Sequence, residues 1–544
     1  MKKSLPIGMD SFEKVREGDY YYVDKTLMIR EFLEMRDEAA LIARPRRFGK
    51  TLNMTMLREF FDITKDSHSL FQGLAIMDTR YADGINTLPV IYVTFKDCKG
   101  QTPEELLIML KRELAREYAR YASILAKQLN PDTFSTKQFF KMVEILSDRD
   151  SSYPYLATAL QDLCAVLCDY YKKKVILLID EYDQPIMSSY EYGYHQELGT
   201  FFSNFYGSAM KGNEALGQAL LTGVQRVAKE SIFSQFNNPQ VYTVGSRPYA
   251  EYFGLTQKEA SALLQEYGLS LNEEVKNQYD GYRIGGISLY NPWSILNYAK
   301  SHFLDNYWLN TSANFLVKQA LKNAGKNFWN TFDTLASGNE SRVWLTLDTS
   351  YAERSNDYSL WGLLVNAGYL TIINRPGATE AIVKIPNDEV MSEFQLIVSE
   401  LSGIDHMDLS HMFNCLIKKD MDEFFRIYEN IVIACTSYMD AKENAYHMLF
   451  LGMCLSLRGT YCVTSNIESG YGRSDITMKS QKEGLPNIIV EFKLGDNLEQ
   501  LKEEALQQIL EQKYYIGLSG EIICVGLAHN KKKCSMSYKT LMMP

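Results

Sequence analysis

The sequence predicts an α/β protein built on a doubly wound parallel sheet, with a mainly helical middle region and a second α/β domain near the C-terminal end. Three observations carry this. Fully apolar runs such as "AALIA" (39–43) and "VILLID" (175–180) alternate with long amphipathic runs over the first half. The first run leads into "RPRRFGKT" (44–51) and the second ends in Asp180, residues whose chemistry suits phosphate or a divalent metal. Past about residue 250 the alternation gives way to helical patterns, and α/β texture returns over the final hundred residues.

The elements follow in order. "AALIA" reads as a buried strand and "TLNMTMLREFFD" (51–62) as a helix, with Leu52, Met56, Leu57 and Phe60 on one face. "LPVIYVTF" (88–95) is a second strand. "PEELLIMLKRELAREYARYASIL" (103–125) is a long helix opened by Pro103. "KKVILLID" (173–180) and "QALLTGV" (218–224) are further strands. Strands separated by long helices make βαβ units and a parallel sheet covered on both faces. "LTQKEASALLQEYG" (255–268) is a helix with Thr256 as N-cap and Glu259 three residues on, a capping box. Residues 313 to about 440 read as mainly helical, with "EAIVKIPN" (380–387) as a strand-like interruption. The expected domains are 1–255, 256–435 and 436–544.

Bulk properties narrow the function. The chain has 544 residues, 46% apolar and 23% charged, with net charge −10 and a pI near 5.4. That balance argues against a protein coated in nucleic acid and leaves room for a local cleft. Nine scattered cysteines, an odd number, do not form a complete disulfide framework. Cys164 and Cys168 share one face of an apolar helix, as buried free thiols do. The N-terminus lacks the apolar core of a secretory signal, and no apolar run is long enough to span a bilayer. A cytoplasmic, non-membrane protein is expected.

The stretch "ARPRRFGKTLN" (43–53) links the first strand to the first helix. Backbone N–H groups at a helix N-terminus wrap phosphate. Gly49 leaves the backbone free to approach, Lys50 adds a charge, and the Thr51 hydroxyl suits magnesium. The position six before Lys50, usually glycine in such a loop, is Arg44, and Pro45 removes one N–H donor. Arg44, Arg46 and Arg47 are expected to offer guanidinium charge in compensation. The competing reading is a basic strand-to-helix turn with no ligand. "VILLIDEYDQP" (175–185) weighs against it: Asp180 ends a buried strand and Glu181 follows, one carboxylate for magnesium and one to activate water. Thr222, at the end of a third strand, suits a γ-phosphate sensor, and Arg226 and Arg247 are candidates to neutralise transition-state charge.

At these residues the chain resembles a known family. "LPIGMDSFEKVREGDYYYVDKT", "RPRRFGKT", "IDEYDQP" and "LTGVQRVAKESIFS" look like the AAA-ATPase-like module of a bacterial family whose members usually carry a C-terminal PD-(D/E)xK nuclease-like domain. The resemblance covers residues 4 to 255 closely and continues loosely through "YDGY" (279–282), "YNPWS" (290–294) and "YW" (307–308). It implies a P-loop-type sheet with a Walker B strand; the middle region that follows is expected to be helical or winged-helix-like. It implies ATP bound by Lys50 and Thr51, with Mg2+ held and water activated through Asp180 and Glu181. In that family the arginine-rich loop without its first glycine is the usual form. Tyr22, Asp24 and Lys25 belong to the family pattern; Asp24 and Lys25 either lie near the adenine or tie down the N-terminal segment. ATPases of this kind often take an arginine from a neighbouring subunit, which leaves a homo-oligomer open.

A second constellation lies in "SGYGRSDITMKSQKEGLPNIIVEFKLG" (469–495). Asp475 sits on one strand, and Glu491 and Lys493 on one face of the next, so a hairpin brings all three together. Asp475 and Glu491 would hold one or two Mg2+ ions, and Lys493 would position water or stabilise developing charge. An amphipathic hairpin with exposed charges is the plainer reading, but Glu491 interrupts an otherwise apolar strand, where an unpaired carboxylate is expensive. The stretch resembles the core of the PD-(D/E)xK nucleases, a restriction-endonuclease-like fold. Asp475, Glu491 and Lys493 match its D…ExK positions. "ENAYHMLFLGMCLSL" (443–457) matches its preceding helix, with Glu443 and His447 on one side, and "ALQQILEQKYY" (505–515) its following helix, where Gln508 supports the site. Glu468, Arg473 and Tyr514 are lesser candidates.

The sequence therefore points to an ATP- and Mg2+-dependent protein with a metal-dependent nuclease domain acting on nucleic acid of unspecified type. ATP would gate cleavage. The alternative is a nucleotide-dependent switch whose C-terminal domain binds nucleic acid or protein without cleaving.

Overall fold

Five strands organise the first part of the chain, the first four largely apolar: β1 (Ala39–Ala43), β2 (Val90–Thr94), β3 (Val175–Asp180), β4 (Leu216–Gly223) and β5 (Gln240–Tyr242). They lie in the order β2-β3-β4-β1-β5, every neighbouring pair parallel. The computed structural model describes residues 2–125, 129–148, 153–225, 239–308, 315–322, 324–336, 338–347, 357–401, 406–434, 446, 449–450, 453–457 and 460–544. The chain divides into two units, Met1–Ala324 with Arg342–Glu389, and Gly325–Ser341 with Val390–Pro544.

In the first unit, helices α1 (Lys50–Phe61), α2 (Pro103–Leu125), α3 (Ala159–Tyr171) and α4 (His195–Met210) separate the strands. Ile91, Val93, Leu177, Ile179, Ala219 and Leu221 pack with Leu110, Leu163 and Phe205 from α2, α3 and α4. Ala40, Ile42, Leu178 and Leu220, which point to the other face, are buried too. A parallel sheet has to be covered on both faces, so its strands read as unbroken apolar runs. Cys164 is buried on α3, as expected, and Cys168 is partly buried. The register sets Ala43 beside Gly223 and Thr94 beside Asp180, so the C-terminal ends of four strands share one edge.

Helix α5 (Gln257–Glu266) carries the expected capping box between Thr256 and Glu259. After it, Tyr282–Ile284 pairs with Ile287–Tyr290, and α6 (Pro292–Ser301) follows. The "YDGY" stretch serves this corner. Asp280 accepts the Tyr290 hydroxyl at 2.6 Å, and a Cβ on Gly281 would stand 2.0 Å from the Pro386 carbonyl oxygen. Between 313 and 440 the described residues are mainly helical, as expected. The strand Glu380–Lys384 is not a lone interruption, however; it is the middle of three with Thr371–Asn374 and Ser341–Trp344. Those flanking strands have four residues each, too short for a periodicity signal.

The second unit holds a five-stranded sheet of β6 (Tyr461–Ser469), β7 (Gly472–Ser480), β8 (Asn487–Leu494), β9 (Gly520–Asn530) and β10 (Lys533–Met543), in that order. Only β8 and β9 run parallel, and α7 (Leu498–Glu511) is the crossover that a parallel pair requires. Ile488, Val490 and Phe492 face a core that includes Phe424, Tyr428 and Phe450. Ile489, Ile522 and Cys524 face Leu506 and Ile509 of α7. Gly526 permits that close approach, since a Cβ there would lie 2.4 Å from the Lys502 carbonyl oxygen. Among the described residues no helix is long and apolar enough to cross a membrane.

Arg44 corrects the sequence reading. Its side chain offers nothing to a phosphate, because it is fully buried. Its Nη1 donates to the carbonyls of Ala43, Tyr242 and Thr243 at 2.9, 2.8 and 2.9 Å, and the guanidinium lies 5.5 Å from the centre of the Phe253 ring. Burial pulls its pKa down to about 9, which leaves it charged at neutral pH. Arg44 thus clamps the chain leaving the short edge strand β5 onto β1. Restoring the usual glycine by Arg44→Gly orphans those carbonyls. It is expected to lower stability by about 3 kcal/mol or more, read by urea denaturation.

Candidate functional site

Residues 44–49 turn the chain from β1 into α1. Arg47 and Gly49 take left-handed backbone angles, φ +67° and +84°. Nothing would lie within 4 Å of a Cβ on Gly49, so the loop is open beside it. Lys50 is the first residue of α1, and its buried ammonium donates to the carbonyls of Arg44 and Pro45 at 3.2 Å each. The ammonium lies 3.6 Å from Glu181 Oε1. Positive charge thus collects where the helix amides already favour an anion. Arg46 is partly exposed and Arg47 exposed.

Two tryptophans brace this loop. The Arg47 guanidinium sits 4.3 Å from the Trp293 ring centre, and Trp308 Nε1 donates to the Arg46 carbonyl at 3.4 Å. One carboxylate ties both braces together: Glu389 accepts the Ser294 hydroxyl and the Trp308 amide, each at 2.8 Å. Burial pushes the pKa of Glu389 up to about 7. This explains why "YNPWS" and "YW" accompany the loop in sequence.

Asp180 closes β3 with its side chain fully buried. Oδ1 accepts the Thr222 hydroxyl at 2.7 Å; Oδ2 accepts those of Thr51 at 2.8 Å and Thr94 at 3.4 Å. Burial, and then the neighbouring Glu181 charge, push its pKa up to about 6. Glu181 takes a left-handed φ of +53°. Lys50, Thr51, Asp180, Glu181 and Thr222 are therefore gathered at one sheet edge. A hydroxyl and a buried carboxylate short of neutralising charge form a donor set that suits a hard divalent cation.

The sequence reading missed two residues here. Thr94 sits at the end of β2. Asp183 is buried and accepts the amides of Val224 and Gln225 at 2.9 Å each, fixing the chain as it leaves β4. A Cβ on Gly223 would stand 2.6 Å from Asp183 Oδ1. The third acid of "DEYD" was the available signal. Arg247 is exposed, and Arg226 lies outside the described residues.

An apolar cleft opens beside Gly49, walled by Pro6, Tyr21, Tyr22, Phe48, Leu263 and Leu296 among others. Lys25 also lines it, with its ammonium 2.7 Å from both Glu259 carboxylate oxygens and from the Glu251 carbonyl. Asp24 accepts the amides of Thr26 and Ala75 at 2.8 and 2.7 Å. Both residues tie the N-terminal segment down, and Lys25 does so at the cleft wall.

In the second unit β7 and β8 pair from Met478 opposite Ile488 to Ile476 opposite Val490. Beyond that point side chains take over the ladder. The Asp475 amide donates to Glu491 Oε2 at 3.2 Å, and the Phe492 amide donates to Asp475 Oδ2 at 2.8 Å. The two acids thus face each other where the strands part. Glu491 is 2% exposed. Gln508 of α7 donates to Glu491 Oε1 and, at 3.0 Å, to the Tyr514 hydroxyl. Lys493 Nζ lies 3.9 Å from Glu491 Oε1. Asp475, Glu491, Lys493, Gln508 and Tyr514 are brought together; Arg473 is exposed on β7. Glu443, His447 and the Glu468 side chain lie outside the described residues. Among the described residues no three His, Cys, Asp or Glu side chains gather as a metal cluster. The donors present here are two carboxylates, a set that suits Mg2+ completed by water and phosphate oxygens.

Residues 6–233 match the family model described as "Predicted AAA-ATPase". Residues 441–539 match that of the PD-(D/E)XK nuclease superfamily. An "Uncharacterized protein in vnfD 5′region" of Azotobacter chroococcum mcd 1 is 29% identical over 397 residues, covering 72% of this chain and 68% of its own length. The chain is thus similar to predicted AAA-ATPases over its first part and to the PD-(D/E)XK nuclease superfamily toward its C-terminal end.

Proposed function

We propose that the chain binds and hydrolyses ATP with Mg2+ at the first site and cleaves nucleic-acid phosphodiesters with Mg2+ at the second. The observation that carries this reading is the same in both units: a buried carboxylate, Asp180 or Glu491, late in an apolar strand, with a second acid and a lysine beside it. A scaffold gains little from such a group, because apolar residues of similar size serve stability as well or better.

In the first site Lys50 and the amides opening α1 hold the phosphates, and the cleft beside Gly49 takes the base. Thr51 and Asp180 would hold the metal. Glu181 accepts a proton from the attacking water, and Thr222 positions Asp180. Arg46 and Arg47 add charge at the outer side of the loop. In the second site Asp475 and Glu491 would hold the metal, Lys493 stabilises charge developing on the phosphate, and Gln508 fixes the orientation of Glu491. A bound divalent ion neutralises phosphate charge and lowers the pKa of water at either site. ATP binding gates cleavage in this reading.

The Asp180 carboxyl sets a pH dependence. Its folded-state pKa of about 6 lies above the ordinary value of 3.8, so the folded chain holds its proton through that window. Stability of the metal-free protein then falls as pH rises from about 4 to about 6, and Asp180→Asn relieves the penalty above it. Holding a cation needs the ionised form, so Mg2+ affinity in the presence of nucleotide should weaken about tenfold per pH unit below about 6. Calorimetric titration at several pH values checks this; a pH-independent affinity contradicts it.

Cleavage of DNA and RNA panels should need Mg2+ and fall at least roughly 100-fold in Glu491→Gln. Gln508→Ala should cost about tenfold. Lys50→Ala, which disables the first site, should change the cleavage rate with ATP and leave the rate without ATP alone. Binding without metal-dependent cleavage would favour the non-cleaving switch, and identical rates in every nucleotide condition would remove the gating.

A further inference from the structure

We infer that Tyr471 is a base-stacking residue that directs unpaired nucleic acid into the Asp475–Glu491 site. This inference rests on the reading of that site as one that engages nucleic acid. Tyr471 is 73% exposed at the tip of the β6–β7 hairpin, so its ring faces are open to a ligand. The tip is held in place. Gly470 has φ +60°, and a Cβ there would stand 2.2 Å from the Gln512 carbonyl oxygen and 2.4 Å from that of Lys513. The Tyr471 amide donates to the Gln512 carbonyl at 2.8 Å. A Cβ on Gly472 would lie 3.1 Å from the Tyr514 hydroxyl, so the hairpin is pressed against the turn that ends α7.

That turn is joined to the chemistry. The Tyr514 hydroxyl accepts from Gln508, which donates in turn to Glu491. The exposed ring is therefore carried on the same rigid corner as the acids, four residues before Asp475, or roughly 13 Å along an extended strand. Its electrostatics suit a polyanion: Lys513 Nζ lies 5.6 Å from the ring centre, and Arg473 is exposed two residues on. A ring flanked by cations and fixed by its backbone stacks on a base whose face is free, whatever the base. A paired duplex hides those faces except at its ends. The substrate class is single-stranded or locally unpaired nucleic acid, with the ring holding a base to one side of the reacting phosphate.

The test uses the full chain carrying Asp475→Asn, so that binding is read without cleavage. Fluorescence anisotropy follows a short unstructured oligonucleotide, as DNA and as RNA, and a blunt duplex of the same sequence. Tyr471→Ala is expected to weaken single-strand binding about tenfold or more in at least one of the two chemistries, Tyr471→Trp to keep it, and neither to alter duplex binding. Equal single-strand affinity in Tyr471→Ala, equal loss on the duplex, or failure of every oligonucleotide to bind overturns the inference. Cleavage by the chain with Asp475 intact is scored separately. Absent cleavage with Tyr471-dependent binding fails the nuclease reading and leaves the stacking role standing. Cleavage that ignores Tyr471 does the reverse.

Discussion

A carboxylate held out of water late in an apolar strand is the constraint on which both units depend. Asp180 and Glu491 each occupy a position that packing alone would give to an aliphatic residue. Burying an ionised group is costly unless hydrogen bonds or an opposite charge compensate. At Asp180 three threonine hydroxyls supply part of that compensation, from α1, β2 and β4. At Glu491 a strand amide and the Gln508 side chain do so. A lysine stands near each pair of acids as well, Lys50 3.6 Å from Glu181 and Lys493 3.9 Å from Glu491; on the proposed reading a divalent cation would complete the compensation.

The strand order turns this constraint into a site. Because β4 lies between β1 and β3, the loop leaving β1 and the acids leaving β3 face one another across Thr222. Lys50 spans the gap from its end of α1 toward Glu181. The second unit reaches a comparable result with other parts. There the β7–β8 ladder opens at its end, and two side chains bond to the amides that pairing would have used. The arginine-rich loop divides its labour. Arg44 is spent on carbonyls of the fold, while Arg46 and Arg47 stay near solvent, braced through Trp308 and Trp293. A loop built in this way needs no glycine at position 44, since a buried guanidinium fixes the turn.

Much of this was legible in the sequence because apolar runs and their terminal polar residues are local signals. β1 to β4, the capping box on α5, and the pairing of Asp475 with Glu491 all follow from patterns within a few residues. What escaped depends on long-range placement. β5 has three residues and, among the described residues, pairs with β1 alone. Arg44 looked like a phosphate ligand because its partners, at 242 and 243, are distant in sequence. Thr94 gained meaning only when β2 was set beside β3. The cleft beside Gly49 draws on segments from residue 6 to residue 296, and none of them announces it alone. The helix expected over 505–515 instead runs Leu498–Glu511, with Tyr514 in the turn beyond, because Lys513 takes a left-handed φ of +52°.

The most direct measurement counts Mn2+ ions bound per chain by electron paramagnetic resonance of the free ion, with and without nucleotide. The account predicts two separable sites. One depends on nucleotide and disappears in Asp180→Asn; the other is indifferent to nucleotide and disappears when Asp475 and Glu491 are both replaced by their amides. Stoichiometry that neither set of substitutions changes would contradict it.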